Sequence, residues 1–178
     1  MSERPPLGLF YGSSTCYTEM AAERIRDALQ ANYTVNLHNI ADDDLSACSN
    51  YALIIFGIPT WDYGELQEDW DRHWDELDDI SFNGKVVAIY GLGDQLGYPD
   101  WFQDAMGYLY HKIVAQGAKV IGLWPAAGYQ YNSSQALTND QQFFVGLALD
   151  DENEFDKSES RIQQWCAQLV GEFVEVYK

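Results

Sequence analysis

Apolar residues gather in six short runs, at 7–11, 33–37, 51–57, 85–91, 120–124 and 143–149, separated by longer segments where they recur at intervals of three and four. Residues 52–56 and 86–90 are apolar without alternation, the pattern of strands covered on both faces. Helical spacing is found over 19–29, 67–77, 101–114 and 158–176. Strand and helix therefore alternate, which predicts an α/β fold with a doubly wound parallel sheet and helices on both faces. Asp156 and Glu159 stand at capping-box spacing ahead of Ile162, Trp165, Leu169 and Phe173, placing the start of the last helix there. Gly117, just past Leu109, Ile113 and Val114, is placed to end its helix in a left-handed conformation. The polar and aromatic stretch 125–142 separates the last two apolar runs and reads as an insertion, either a docking element or a tolerated surface loop. One domain over residues 1–178 is expected, with a short tail at 1–6.

Composition narrows the partners. Ten Lys and Arg against 28 Asp and Glu give a formal charge of -18, which repels nucleic acid and anionic membrane and favours proteins with a basic face. Cys16, Cys48 and Cys166 are odd in number and form no close pair, as expected for a reduced, cytoplasmic protein. His38, His73 and His111 share no metal-ligand spacing, so no metal is predicted. No apolar run reaches the ~18 residues needed to span a bilayer, and residues 1–6 lack the apolar core of an export signal, so neither membrane insertion nor export is expected.

Three polar segments follow strand-like runs, where an open α/β sheet binds its ligands. The first, Ser13-Ser14-Thr15-Cys16-Tyr17-Thr18, offers hydroxyls and backbone N–H groups at a helix start, with no Lys or Arg. That suits an anion held by neutral donors, although Ser and Thr also cap helices for structural reasons. The second, Pro59-Thr60-Trp61-Asp62-Tyr63-Gly64, displays two aromatics on a short turn. The third, Gly91-Leu92-Gly93-Asp94-Gln95-Leu96-Gly97-Tyr98, combines glycines, polar edges and another ring. Two aromatic walls, polar edges and an anion site suit a mononucleotide bearing a large flat ring, and flavin mononucleotide (FMN) meets all three conditions. The glycines are mis-spaced for a dinucleotide fingerprint, and no GK[ST] triphosphate loop occurs.

At these loops the chain resembles the flavodoxins, in particular the long-chain type, whose last strand is interrupted by an insertion. The resemblance runs from Leu7 to Tyr177. It is most specific over 57–65, 93–98 and 144–150. The Ser-Ser-Thr-Cys-Tyr-Thr turn resembles that of the flavodoxin B subgroup of proteobacteria, whereas most of the family has Gly-Asn in place of Cys16-Tyr17. The resemblance implies a flavodoxin-like five-stranded sheet and non-covalent FMN. It places Ser13, Ser14, Thr15, Cys16, Tyr17 and Thr18 around the phosphate and Pro59, Thr60, Trp61, Asp62, Tyr63 and Gly64 in the first flavin-covering loop, with Trp61 on the inner face of the ring. Gly91, Leu92, Gly93, Asp94, Gln95, Gly97 and Tyr98 then form the second, with Tyr98 stacked on the outer face and Gln103 also reaching the site. Cysteine-based phosphatases have an Arg six positions after the nucleophile, where this chain has Ala22. Signalling receiver domains need acidic residues after strand one, where Ser13 and Ser14 stand.

The same resemblance implies a low-potential one-electron carrier rather than an enzyme, monomeric and cytoplasmic. Such a carrier would take electrons from a flavodoxin/ferredoxin-NADP reductase and pass them to acceptor enzymes. The alternative is an FMN-dependent NAD(P)H:quinone reductase of the same fold. Glu65, Glu68, Asp69, Asp71, Asp75, Glu76, Asp78 and Asp79, with Arg72 alone among them, are expected to steer basic redox partners to the flavin edge.

Overall fold

The computed structural model describes residues 3–176; the start of the expected tail, Met1 and Ser2, and Tyr177 lie outside the described residues. In chain order the elements are β1 (Pro6–Tyr11), α1 (Tyr17–Leu29), β2 (Thr34–Asn39), β3 (Leu53–Trp61), β4 (Glu65–Leu66), α2 (Glu68–His73), β5 (Val86–Leu92), α3 (Asp104–Ala115), β6 (Lys119–Ile121), β7 (Trp124–Pro125), β8 (Phe143–Phe144), β9 (Leu147–Leu149) and α4 (Phe155–Val176). Short 3-10 helices occupy Leu45–Asn50 and Trp74–Asp79.

The sheet runs β2-β1-β3-β5-β6 with all neighbours parallel. Its fifth position is split: β6 pairs with Val86–Ala88 of β5, and β9 pairs with Tyr90–Leu92 further along the same strand. The expected five-stranded sheet with an interrupted last strand is therefore present. Strand residues alternate between two cores. Leu7, Leu9, Leu53, Ile55, Ala88 and Tyr90 face α1 and α4, whereas Phe10, Ile54, Phe56, Val87 and Ile89 face α2 and α3. On α4 the buried Ile162, Trp165, Leu169 and Phe173 form the stripe read from the sequence. Fully burying each such side chain contributes about 1.5–3 kcal/mol.

Helix ends differ from expectation at α2, α3 and α4: the helix expected over 67–77 is α-helical only over Glu68–His73 and continues as the 3-10 helix Trp74–Asp79. Helix α4 begins at Phe155, so Asp156 lies in its first turn rather than capping it. A tight turn precedes it, in which the Glu154 N–H donates to the Asp150 carbonyl at 2.8 Å, and the Ser158 hydroxyl ties the first turn to the Asp151 carboxylate. Helix α3 starts three residues after the expected position 101, because Gln103 holds a left-handed φ of 63°. Gly117 ends α3 as expected, with φ 97° and the Ala118 N–H reaching back to the Ile113 carbonyl at 3.1 Å. The 3-10 turn Leu45–Asn50 was not anticipated; the Asp44 carboxylate caps it through the Ser46 N–H at 2.9 Å.

Residues 125–142 are docked onto the body of the protein. The Gln135 N–H donates to Asp104 at 2.7 Å, and the N–H groups of Asn132 and Ser133 share the Pro99 carbonyl. Tyr129 and Tyr131 pack with Phe102 and Phe144. The insertion passes so close to α3 that a Cβ on Gly107 would overlap the Gln135 carbonyl. Among the described residues, no helix is long and apolar enough to cross a membrane, and no group of three or more His, Cys, Asp or Glu could hold a metal ion.

Candidate functional site

Because β1, β3, β5 and β9 are parallel, the turns that follow them open at one edge of the sheet, beside the point where strand order reverses between β1 and β3. There a groove of about 360 Å³ is lined by Thr15, Tyr17, Thr18, Pro59, Thr60, Trp61, Asp62, Leu92, Gly93, Asp94, Tyr98, Asp151 and Glu152. A larger hollow of about 720 Å³ lies between β6 and the last turns of α4, but it is remote from these turns. The smaller groove is the site, because the polar and aromatic groups converge on it.

The turn after β1 ends in Cys16, which has φ 68° and makes no side-chain cap for α1. This left-handed conformation accounts for the glycine most of the family has there: Cys16 takes the same backbone shape at a cost of about 1–2 kcal/mol. With no side-chain cap, the first-turn N–H groups of α1 are left to other partners. The Ser13 hydroxyl is buried and has no hydrogen-bond partner. Uncapped helix start and orphaned hydroxyl together fit an anion bound by neutral donors.

The turn after β3 is a tight hairpin, with Trp61 opposite Glu65 and only three residues between them. Asp62 has φ 42° and Gly64 φ 83°, and these positive angles make so short a reversal feasible. Thr60 faces the groove, and its Oγ1 accepts the Ala105 N–H at 3.0 Å, capping α3 from outside that helix. Across the mouth, the Asp62 charge lies near the Tyr98 phenol and raises its pKa. Tyr63, 66% exposed, stands outside the groove with its ring against Tyr98 at 5.8 Å and Trp101 at 5.0 Å.

The turn after β5 is pinned from within. Asp94 accepts the N–H groups of Leu96 and Gly97, folding the chain back so that Tyr98 reaches the groove. Gln95, expected at the cofactor, is buried and does not line the groove. Its N–H donates to Asp150 at 3.1 Å, its amide donates to Glu154 at 2.5 Å, and its Oε1 accepts the Gln130 N–H at 2.6 Å. Gln103 is likewise fully buried behind the sheet, donating to the Leu149 carbonyl at 2.9 Å with its Oε1 against Gly91. Of the other residues expected here, Ser14 bonds Gln67, Cys16 is exposed, Gly64 backs onto Asp104 and Trp101, Gly91 lies beneath the groove, and Gly97 packs on the Asp94 carboxylate.

The turn after β9 was missed. It brings Asp151 and Glu152 to the groove, so with Asp62 and Asp94 four carboxylates line it. Burial raises the pKa of Asp151, against its bond from Ser158. The signal was present in the sequence: Asp150-Asp151-Glu152 follows an apolar run, as the other three turns do. Beneath the first turn, Gln67 and Trp70 were also unanticipated, and both are buried.

Comparison with known proteins agrees with this geometry. A flavodoxin family model matches residues 9–165. Flavodoxin 2 of Salmonella typhi is 54% identical over 171 residues, covering 96% of this chain and 98% of that one, and Flavodoxin 2 of Escherichia coli K12 matches to the same extent. A flavodoxin of Nostoc sp. PCC 7120 is 49% identical over 167 residues, covering 94% and 96%. Among solved structures, Fusobacterium nucleatum flavodoxin bound to flavin mononucleotide superposes with a TM-score of 0.88 at 30% identity, covering 94% of this chain and 98% of that one. With a family model over most of its length and relatives aligned nearly end to end, the chain belongs to the flavodoxin family.

Proposed function

We propose that this protein is a one-electron carrier that binds FMN non-covalently and exchanges electrons with redox partner proteins, as a single cytoplasmic, monomeric domain. The carrying observation is the buried, unpartnered Ser13 hydroxyl in the turn that leads to the uncapped start of α1, a turn whose Thr15 and Thr18 line one groove with Trp61 and Tyr98. Ser13, Thr15, Thr18 and the first-turn N–H groups would hold the phosphate. Trp61 and Tyr98 would flank the ring, and the peptide joining Asp62 to Tyr63 offers a carbonyl at its edge. FMN supplies the redox chemistry, so the chain itself needs no nucleophile or general acid.

The protein's part is electrostatic. Asp62, Asp94, Asp151 and Glu152 oppose any gain of negative charge in the groove, and the phosphate turn has no cation to offset them. Both effects push the potential of the bound cofactor down. The acidic tract after β4 supports docking of basic-faced partners, a reductase as donor and acceptor enzymes downstream. Not every carboxylate there is free for this role, since Asp69 is buried and pairs with Arg72 at 3.5 Å.

Anaerobic stepwise reduction of the FMN-loaded protein, followed by visible absorption, tests the reading. Two separable one-electron steps are expected, with reduction by a reductase slowing as ionic strength rises. Rapid two-electron turnover with NAD(P)H and a quinone would identify the reductase alternative instead. Failure to take up any flavin would overturn both.

A further inference from the structure

The residue that arranges the phosphate turn lies outside it. Gln67 is 2% exposed, and both ends of its amide are engaged. Its Nε2 donates to Ser14 Oγ at 3.0 Å and to Asp69 Oδ2 at 2.8 Å, while its Oε1 accepts the Trp70 N–H at 3.3 Å. The Trp70 indole N–H in turn donates to the Gly57 carbonyl at 3.0 Å, an oxygen that also accepts the Gly12 N–H at 3.3 Å. A Cβ on Gly12 would overlap Gln67 Oε1 and lie 2.9 Å from the Trp70 ring. Residues 12–14 thus rest on a platform made by Gln67 and Trp70.

We infer that Gln67 and Ser14 form a latch that sets the phosphate turn for its anion, with Ser14 as the handle rather than a phosphate ligand through its hydroxyl. Successive side chains in this turn have different fates. Ser13 Oγ is buried without a partner, whereas Ser14 is exposed and its Oγ is drawn to Gln67. Holding Ser14 outward fixes the backbone between them and keeps the Ser13 hydroxyl and the turn's N–H groups inward. Gln67 also follows directly on β4, the return strand of the Trp61 hairpin, so one amide ties the phosphate end of the groove to its ring end. Gln67 is on this account a positioning residue: an ordered turn takes up phosphate without first bearing the entropy of ordering itself.

This inference rests on the FMN reading, and the test separates the two. Apoprotein is titrated with FMN and with riboflavin, which lacks the phosphate, for wild type, Ser14→Ala, Gln67→Met and the double variant. A wild type that does not prefer FMN to riboflavin would overturn the phosphate site itself. If that preference is present, each single variant should reduce the FMN-to-riboflavin affinity ratio about 3- to 10-fold, the worth of one neutral hydrogen bond, leaving riboflavin affinity within about twofold. The double variant should be no worse than the weaker-binding single variant, because both substitutions release the same latch. An unchanged ratio in Ser14→Ala, equal weakening of both ligands, or effects that multiply in the double variant would each overturn the latch. Ser14 is exposed, so its variant keeps the test available should Gln67→Met fail to fold.

Discussion

The two ends of the groove are built on opposite plans. Around 91–98 the protein binds itself: Asp94 holds two backbone N–H groups, the N–H and both ends of the side-chain amide of Gln95 are engaged, and Asp150, Glu154 and the insertion close around them. Around 12–18 the chain leaves a left-handed cysteine, an uncapped helix and an unpartnered buried hydroxyl, steadied from below by Gln67. One end keeps its shape without a ligand; the other has polar groups whose best partner is a ligand. An aromatic wall must be rigid to stack, whereas an anion site must keep its donors uncommitted.

Undocking the insertion should break the rigid end most severely. In an ordinary exposed helix, glycine to alanine gains about 1 kcal/mol. At Gly107 the new methyl group meets the Gln135 carbonyl, so Gly107→Ala should instead cost about 1–3 kcal/mol, lowering the apoprotein melting temperature by about 2–4 °C per kcal/mol. FMN affinity should fall with it, because Gln130 holds Gln95 and Gln95 holds the Tyr98 turn. A more stable variant would mean that 125–142 is only a passive surface loop.

A smaller effect, with a distinctive pH signature, should come from Glu154. Burial pushes its pKa up, but bonds from Lys157, Gln95 and Arg161, together with the Arg161 charge, outweigh burial and bring it from 4.5 down to about 2. Since the folded state holds this group ionised at lower pH than the unfolded chain does, its stabilisation is present above pH 4.5 and lost as pH falls toward about 2. Glu154→Gln should therefore melt below wild type at neutral pH, with the gap closing across that window. Asp104 and Asp151 act with opposite sign: burial raises their pKa, so folding gains from their protonation as pH falls. A gap that stays constant with pH would show that the Glu154 charge contributes nothing to the brace.

How much was readable from the chain divides along the same line. The continuous apolar runs of β3 and β5 and the periodic stripe of α4 are local signals, and they locate the sheet, its layers and the edge where ligands bind. That Trp61, Asp62, Asp94 and Tyr98 would line one groove is legible because they sit just beyond strand ends, and Asp151 and Glu152 carry the same signal. The partners of Gln95 and Gln103 are not legible in this way. Whether a glutamine faces a groove or a neighbouring backbone depends on partners such as Gln130 and Leu149, which are 35 and 46 residues away. Gln67 was hidden for the same reason, since its bond to Ser14 spans 53 residues.

The smallest expected change in stability is the sharpest test of the contrast. Removing a hydroxyl that has protein partners costs the bond and leaves the partners unsatisfied, whereas a buried hydroxyl without a partner already bears a penalty of about 1–3 kcal/mol in the apoprotein. Ser13→Ala should therefore leave apoprotein stability unchanged or raise it slightly, as read by thermal unfolding without ligand. FMN should bind about 10- to 150-fold more weakly, the loss of one bond to a charged group, and riboflavin should bind as before. Stability and affinity thus move independently here, whereas at Gly107 they fall together. An apoprotein destabilised by more than about 1 kcal/mol would mean that Ser13 is already satisfied within the protein; the phosphate turn would then be as self-contained as the loop that carries Tyr98.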